Sequence, residues 1–450
     1  VPLKLIDALE IVQKSAPAAA ENFRAALVCG FTPLHLEPLL QANLSLSLPS
    51  RKIEIHTGIF GDLIGNLRRA TSRSFDSIVV IAEWTDFDAR LGFRSLGSWS
   101  PDNFPAILVE VQGRSAELQR AIRDAAVRTP VTVCMPTVPF PPISLCSGVQ
   151  ASAIETQIEL TITQLTSDLV EIPGVRLANR QYLDRVSPAG QRYAVDSDLR
   201  FGFPYTSTHA SWLAETMSRL ATPDTPKKGI ITDLDDTLWK GILGEDGVER
   251  LTWSLDGGGA MHGAYQRLLQ SLADSGVMIA VASKNDAALV SEAFQRMDLA
   301  LRAESIYPIE AHWKGKSESV RRILKAWNVS AADVVLVDDN AMELAEVKAR
   351  HPEMECVLFP KESNSQILSL LVRLRELFGK STSQDEDRIR LQSIRRANEV
   401  SLEAAATDPD AFLASAEAHL TLDFATNPRH PRVLELVNKT NQFNLNGKRH

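Results

Sequence analysis

Cysteine is scarce: four residues in 450, at positions 29, 134, 146 and 356. They have no metal-type spacing and sit mostly in apolar runs, which fits buried thiols in a reducing cytosol. Long apolar runs are missing too. No stretch can span a bilayer and no secretory leader is visible, so the expectation is a soluble, cytoplasmic protein without a membrane partner. Positive charge is not in excess, with 48 Lys and Arg against 56 Asp and Glu; the net charge of -8 argues against a nucleic-acid partner. Internal repeats are absent. What remains is ordinary: 23% charged residues mark a globular chain, and 450 residues suffice for two or three cores.

The first 222 residues alternate short apolar runs with helical stretches. Ala25–Cys29, Ile53–His56, Ser77–Ile81 and Val131–Cys134 read as strands, separated by helical runs to about Leu44 and over 64–70, 114–127 and 150–170. Ala106–Val109 reads either as a further strand or as the start of a helix running through Gln119. Such alternation implies a largely parallel sheet covered on both faces. Trp84 and Asp86, just past the third strand, lie where such sheets bind ligands, although loop packing is the commoner role for such residues. A polar, proline-bearing linker over 221–228 then marks a boundary.

The alternation resumes at Gly229. The run Gly229–Thr232 ends in Asp233-Leu234-Asp235-Asp236-Thr237, so a strand delivers carboxylates two residues apart at its C-terminal end. Asp233, the carbonyl of Asp235 and a later acid can converge on a hard cation such as Mg2+. Met261–Ala273 is helical, with Tyr265, Leu268, Leu269 and Leu272 on one face. Val277–Ala282 is an apolar strand ending in Ser283-Lys284-Asn285-Asp286. Lys316 opens a helix to Trp327, and Asp333–Val337 is a buried strand ending in Asp338-Asp339-Asn340, followed by a helix to Arg350. Each polar cluster thus sits at a strand end or a helix start. From about 380 an acidic stretch leads into an Arg-rich helix through Asn398, and a polar tail closes the chain.

Taken singly, Ser283 or Lys316 is most simply a polar loop residue, and Asp-x-Asp a solvated turn. Together, and in this order, Asp233/Asp235/Thr237, Ser283, Lys316 and Asp338/Asp339 resemble the four motifs of the haloacid dehalogenase (HAD) phosphotransferase superfamily. The resemblance implies a Rossmann-like core over 229–378 in which Asp233 attacks phosphorus and Asp235 moves the proton. It implies Mg2+ held by Asp233, Asp235, Asp339 and Asp338, with Asp339 as the direct ligand of the last pair. Thr237, Ser283, Lys284, Asn285 and Lys316 would bind substrate, Ser283 by hydrogen bond and Lys316 by charge.

The stretches Asp233–Trp239, Gly241–Gly247, Ser283–Asp286, Trp313–Lys316, Val337–Asn340 and Asn438–Leu445 are more closely similar to the FkbH-like branch. That branch is associated with moving a glyceryl unit from 1,3-bisphosphoglycerate onto the phosphopantetheine thiol of an acyl carrier protein, with removal of phosphate. Two further class readings stand beside it: a non-catalytic carrier-protein docking scaffold, and a plain HAD phosphatase for a small phosphorylated metabolite or a phosphoprotein. The branch usually has Asn where Asp236 stands and a small residue near Lys240. Its C-terminal part resembles a GNAT-type acyltransferase, so 380–450 is expected to form a partial, truncated GNAT-like segment.

The N-terminal unit resembles the SGNH-hydrolase type of flavodoxin-like fold. Gly30-Phe31-Thr32 and Thr206-Ser207-Thr208-His209 occupy the places of that family's nucleophile and its late Asp-x-x-His, so nucleophile and orienting acid are both replaced. The expectation is a binding or docking domain, with His209 as a surface or packing residue. Cys29, beside Gly30, is the one candidate for carrying an acyl group, against the commoner state of a buried thiol. Finally, 50 residues separate Asp233 from Ser283 and 33 separate Ser283 from Lys316. Neither gap holds a large cap domain, so an open site is expected, which suits a substrate carried on a protein.

Overall fold

The computed structural model describes residues 2–14, 21–94, 100–379, 391 and 393–396. The chain divides into two compact units, Val1–Thr225 and Pro226–His450. No helix among the described residues is long and apolar enough to cross a membrane.

The first unit is built on five strands: β1 (Asn22–Cys29), β2 (Lys52–Thr57), β3 (Ser77–Ile81), β4 (Val131–Cys134) and β5 (Val175–Leu177). All pair in parallel in the order β2-β1-β3-β4-β5, the flavodoxin-like doubly wound order. β3 and β4 are buried along their whole length, which explains why they are unbroken apolar runs with no alternation. The sheet divides the core in two. Val28, Ile78, Val80 and Val133 face one set of helices, and Leu27, Val79, Ile81 and Cys134 the other. Ala106–Val109 belongs to the helix Phe104–Ala126. Pro105 sits in its first turn, where no N–H is needed, and Ile107, Val111, Leu118 and Ile122 recur at helical spacing on its buried face.

The second unit carries β6 (Gly229–Thr232), β7 (Met278–Ser283), β8 (Ile306–Ala311), β9 (Val334–Asp338) and β10 (Glu355–Leu358). They form a second parallel sheet in the order β10-β9-β6-β7-β8. Ile230, Ile279 and Val335 pack on one face, and Ile231, Ala280 and Leu336 on the other. From β6 the chain first winds out through β7 and β8, then returns to the other side of β6 for β9 and β10. The crevice at this reversal lies between the C-terminal ends of β6 and β9, where an open α/β sheet collects its ligand.

Of the C-terminal segment, residues 391 and 393–396 are described, and these are helical. The remainder of 380–450, including the GNAT-like expectation and Asn438–Leu445, lies outside the described residues.

Candidate active site

Residues 233–242, 283–286, 312–316 and 338–341 leave the C-terminal ends of β6, β7, β8 and β9, and their polar side chains meet over the reversal point. Carboxylate oxygens of Asp233, Asp338 and Asp339 lie within 4.8 Å of one another. Asp233 and Asp338 are buried, at 8% and 0% exposure. Burial pushes the Asp233 carboxyl up and Lys316 opposes that rise; Asp338 is raised by burial in the same way. Two acids forced together out of water repel each other and need a cation.

Lys316 is that cation in this structure. Its Nζ lies 3.0 Å from Asp233 Oδ1 and 2.7 Å from Glu343 Oε2, and it also contacts Asp338 Oδ2. Burial alone would strip its proton, but the three carboxylates around it outweigh that and hold it charged. Three all-oxygen ligands beside it fit a hard divalent ion such as Mg2+.

Asp235 lies beside this cluster and outside it. Its Oδ1 accepts from Trp239 Nε1 at 3.0 Å and from the Leu243 backbone N–H at 3.1 Å, and its Oδ2 accepts from Asn285 Nδ2 at 3.0 Å. The same Asn285 amide donates to Ser283 Oγ at 3.1 Å, so the loop after β7 is tied to the loop after β6. Ser283 and Asn285 are both buried. Thr237 is fully buried, and its Oγ1 has no hydrogen-bond partner among the described residues. A buried hydroxyl left unpaired costs stability. Lys284 pairs with Glu343 Oε1 at 2.9 Å. The structure thus brings Asp233, Lys316, Asp338 and Asp339 to one place, ties Ser283 and Asn285 to Asp235, and links Lys284 to Lys316 through Glu343.

Two participants had no sequence signal. Glu343 follows the last motif by four residues in an ordinary helix, and only its three-residue spacing from Glu346 hints at a shared face. Lys361 follows β10, a strand too short to be legible, and its Nζ lies 2.8 Å from both Asp236 Oδ2 and Asp339 Oδ2.

Between β6 and β7 the chain forms only a flap over residues 239–259, with a four-residue helix, Leu243–Asp246, and an antiparallel bridge from Lys240 to Thr252. No separate cap stands over the acids among these residues, all of which are described.

In the first unit the chemistry-bearing residues are used for packing. Cys29 is 4% exposed, its thiol donates to the Phe31 carbonyl at 3.2 Å, and burial pushes its pKa far up. Burial and the raised pKa both disfavour the thiolate that an acyl carrier would need. His209 is fully buried: Nε2 lies 2.9 Å from Thr137 Oγ1 and Nδ1 lies 2.9 Å from Ser187 Oγ. Thr137 gives its own hydroxyl proton to Glu83 at 2.7 Å, so it must accept from Nε2–H, and Ser187 must donate to Nδ1. Both ring nitrogens are therefore spent. Thr206 caps the helix Ser207–Ala221 by accepting from the His209 N–H. Trp84 is buried and donates to the Val138 carbonyl at 3.0 Å. Asp86 accepts from the Glu83 N–H at 2.8 Å, with its pKa raised by burial to about 7. It packs so tightly on Gly30 that a Cβ there would lie 1.8 Å from Asp86 Oδ1.

No family model matches the chain. No curated protein matches it either. Among solved structures, the chain is similar to the N-terminal part of a Bacteroides fragilis protein containing a phosphatase domain, complexed with Mg. The TM-score is 0.64 at 17% identity, over 84% of this chain and 100% of that one. An uncharacterized protein from Corynebacterium glutamicum matches 34% of this chain and 98% of its own length at 18% identity, but its TM-score of 0.24 carries no argument. The chain accordingly shares the fold of that segment, and its second unit is a Rossmann-like α/β core.

Proposed function

We propose that the protein is a Mg2+-dependent phosphatase of the HAD type, and that it couples phosphate removal to transfer of a glyceryl unit from 1,3-bisphosphoglycerate to an acyl carrier protein. The observation that carries the phosphatase reading is the meeting of Asp233, Asp338 and Asp339, the first two against buried Lys316, at the reversal point of a parallel sheet. The Mg-complexed phosphatase segment of shared fold supports it.

In this reading Asp233 attacks phosphorus in line, forming an aspartyl phosphate as the leaving oxygen departs. Asp235, held in place by Trp239, Leu243 and Asn285, hands a proton to that oxygen and then takes one from the water that hydrolyses the intermediate. Lys316 and Ser283 hold the phosphoryl oxygens, and Asn285 keeps Ser283 and Asp235 in register. Asp233, Asp338 and Asp339 would hold Mg2+, which supplies charge neutralisation between carboxylates and phosphate.

The glyceryl step rests on the resemblance in the motif loops and on the uncapped site, which leaves room for a pantetheine arm. The carrier thiolate attacks the acyl carbon of the mixed anhydride, a C–S bond forms, the C–O bond breaks, and the C1 phosphate leaves with its electron pair; the C3 phosphate ester is hydrolysed to the glyceryl hydroxyl through Asp233 and water. Cys29 takes no part. The first unit, with its buried His209 and the tightly packed Gly30 loop, is read as an SGNH-like binding domain that does not hydrolyse. Its companion is a carrier protein in a reducing, cytoplasmic setting.

Intact-mass analysis of a holo carrier protein incubated with enzyme, Mg2+ and 1,3-bisphosphoglycerate tests the transfer. A glyceryl mass increment on the carrier is expected. Brisk phosphate release with an unmodified carrier would reduce the protein to a plain phosphatase, and neither product would leave only a docking scaffold.

A further inference from the structure

The helix Ala341–Arg350 begins just after Asp338 and Asp339, with Asn340 capping it through the Met342 N–H. Its first turns put Glu343 and Glu346 three residues apart, on neighbouring positions of one face. Both reach the start of the helix Lys316–Trp327. Glu346 Oε1 accepts from Ser317 Oγ at 2.6 Å and from the Ser317 N–H at 3.3 Å. A carboxylate on exposed N–H groups at a helix start is favourably placed. Glu343 spans two loops: Oε2 lies 2.7 Å from Lys316 Nζ, and Oε1 lies 2.9 Å from Lys284 Nζ.

Lys316 Nζ lies against carboxylate oxygens of Asp233, Asp338 and Glu343. The first two belong to the carboxylate cluster suited to a cation, and Glu343 does not. Glu343 is thus the contact of Lys316 that lies outside that cluster among the described residues. Its second oxygen brings Lys284, from the neighbouring loop, alongside. The positive charges of the two lysines would otherwise push the side chains apart.

We propose that Glu343 is a positioning residue whose single carboxylate sets Lys284 and Lys316 as a two-ammonium clamp on the phosphoryl group. This inference rests on the phosphoryl-transfer reading of the site. In that role Glu343 touches no substrate. It makes the contribution of Lys284 conditional on its own charge, which a merely structural residue would not do.

Titration calorimetry with inorganic phosphate, in the presence of Mg2+, separates the two ideas. Wild type, Glu343→Gln, Lys284→Met and the double variant are compared, alongside steady-state turnover of p-nitrophenyl phosphate. Glu343→Gln and Lys284→Met are each expected to weaken phosphate binding about tenfold, as loss of a charge-assisted contact predicts. The double variant should be no worse than Glu343→Gln alone, with KM raised more than kcat is lowered. Wild-type affinity in Glu343→Gln, or additive losses in the double variant, overturns the clamp while leaving the phosphatase intact. Should Glu343→Gln fail to fold, Lys284→Met still decides: its side chain is 38% exposed, and unchanged affinity there overturns the clamp. A wild type that neither binds phosphate nor turns over the ester overturns the phosphoryl-transfer reading and the clamp together.

Discussion

Lys361 bridges Asp236 and Asp339, its Nζ 2.8 Å from a carboxylate oxygen of each. Asp236 sits at φ 50°, the left-handed region that Asn and Asp tolerate better than other side chains. Its Oδ1 also accepts from the Gly241 N–H at 3.0 Å, closing the turn that follows Asp233. Burial would raise this carboxyl, but Lys361 and Gly241 overcome that and hold it below the usual range. The turn after Asp233 is thus tied to the loop that follows the edge strand β10.

Replacing Asp236 should separate these contributions. Asp236→Asn keeps the backbone preference and the Gly241 contact and loses only the ion pair with a part-exposed lysine, roughly 0.2–1 kcal/mol. Asp236→Ala loses the hydrogen bond and the left-handed tolerance as well, and should cost about 1–3 kcal/mol. Urea denaturation of the two variants measures the difference.

Stability of the first unit should fall with acid because of His209. Burial, with the nearby Arg192, lowers its pKa to about 3 in the folded protein, against an ordinary value of 6.5. Below pH 6.5 the unfolded chain takes up a proton that the folded one refuses. Stability is therefore fully present above that pH and declines by up to about 1.4 kcal/mol per pH unit on the way down to about 3. Denaturation of wild type and His209→Gln at pH 7 and pH 5 checks this. The variant is expected to be less stable at pH 7 and to show a flatter pH dependence over that interval.

Gly263 offers a contest between propensity and packing. Alanine in the helix Ala260–Asp274 should gain about 1 kcal/mol by propensity. A Cβ there would, however, lie 2.2 Å from the Trp253 carbonyl oxygen, which is backbone and cannot swing away. The clash should win, and Gly263→Ala should destabilise the protein by about 1–3 kcal/mol. A thermal midpoint equal to or above wild type would contradict the packing between flap and helix.

Mg2+ should raise the unfolding temperature of the second unit. A ligand bound only by the folded state contributes about 2.7 kcal/mol at a hundred times its Kd, which amounts to several degrees for a unit of this size. The shift should vanish in the Asp338→Asn/Asp339→Asn double variant. Scanning calorimetry with Mg2+ or with EDTA reads it directly.

The site was more legible in the sequence than the sheets that carry it. β3 and β4 were readable to the residue because buried parallel strands are unbroken apolar runs. The motif loops stood out because acids, a serine and a lysine each followed such a run. β8 was hidden by Pro308, tolerated there because β8 is an edge strand. β5 and β10, at three and four residues, carry too little pattern to detect. Losing β10 concealed Lys361. Glu343 was invisible for a different reason: its partners Lys316 and Lys284 come from two distant loops, and only the folded sheet brings them to one carboxylate.

Phosphate release from 1,3-bisphosphoglycerate by wild type and Asp233→Asn, each with Mg2+ and with EDTA, tests whether Asp233 and a metal carry the reaction. Release is expected from wild type with Mg2+, and background alone in the other three mixtures. Equal release by wild type and Asp233→Asn would show that the carboxylate at the end of β6 is not the nucleophile.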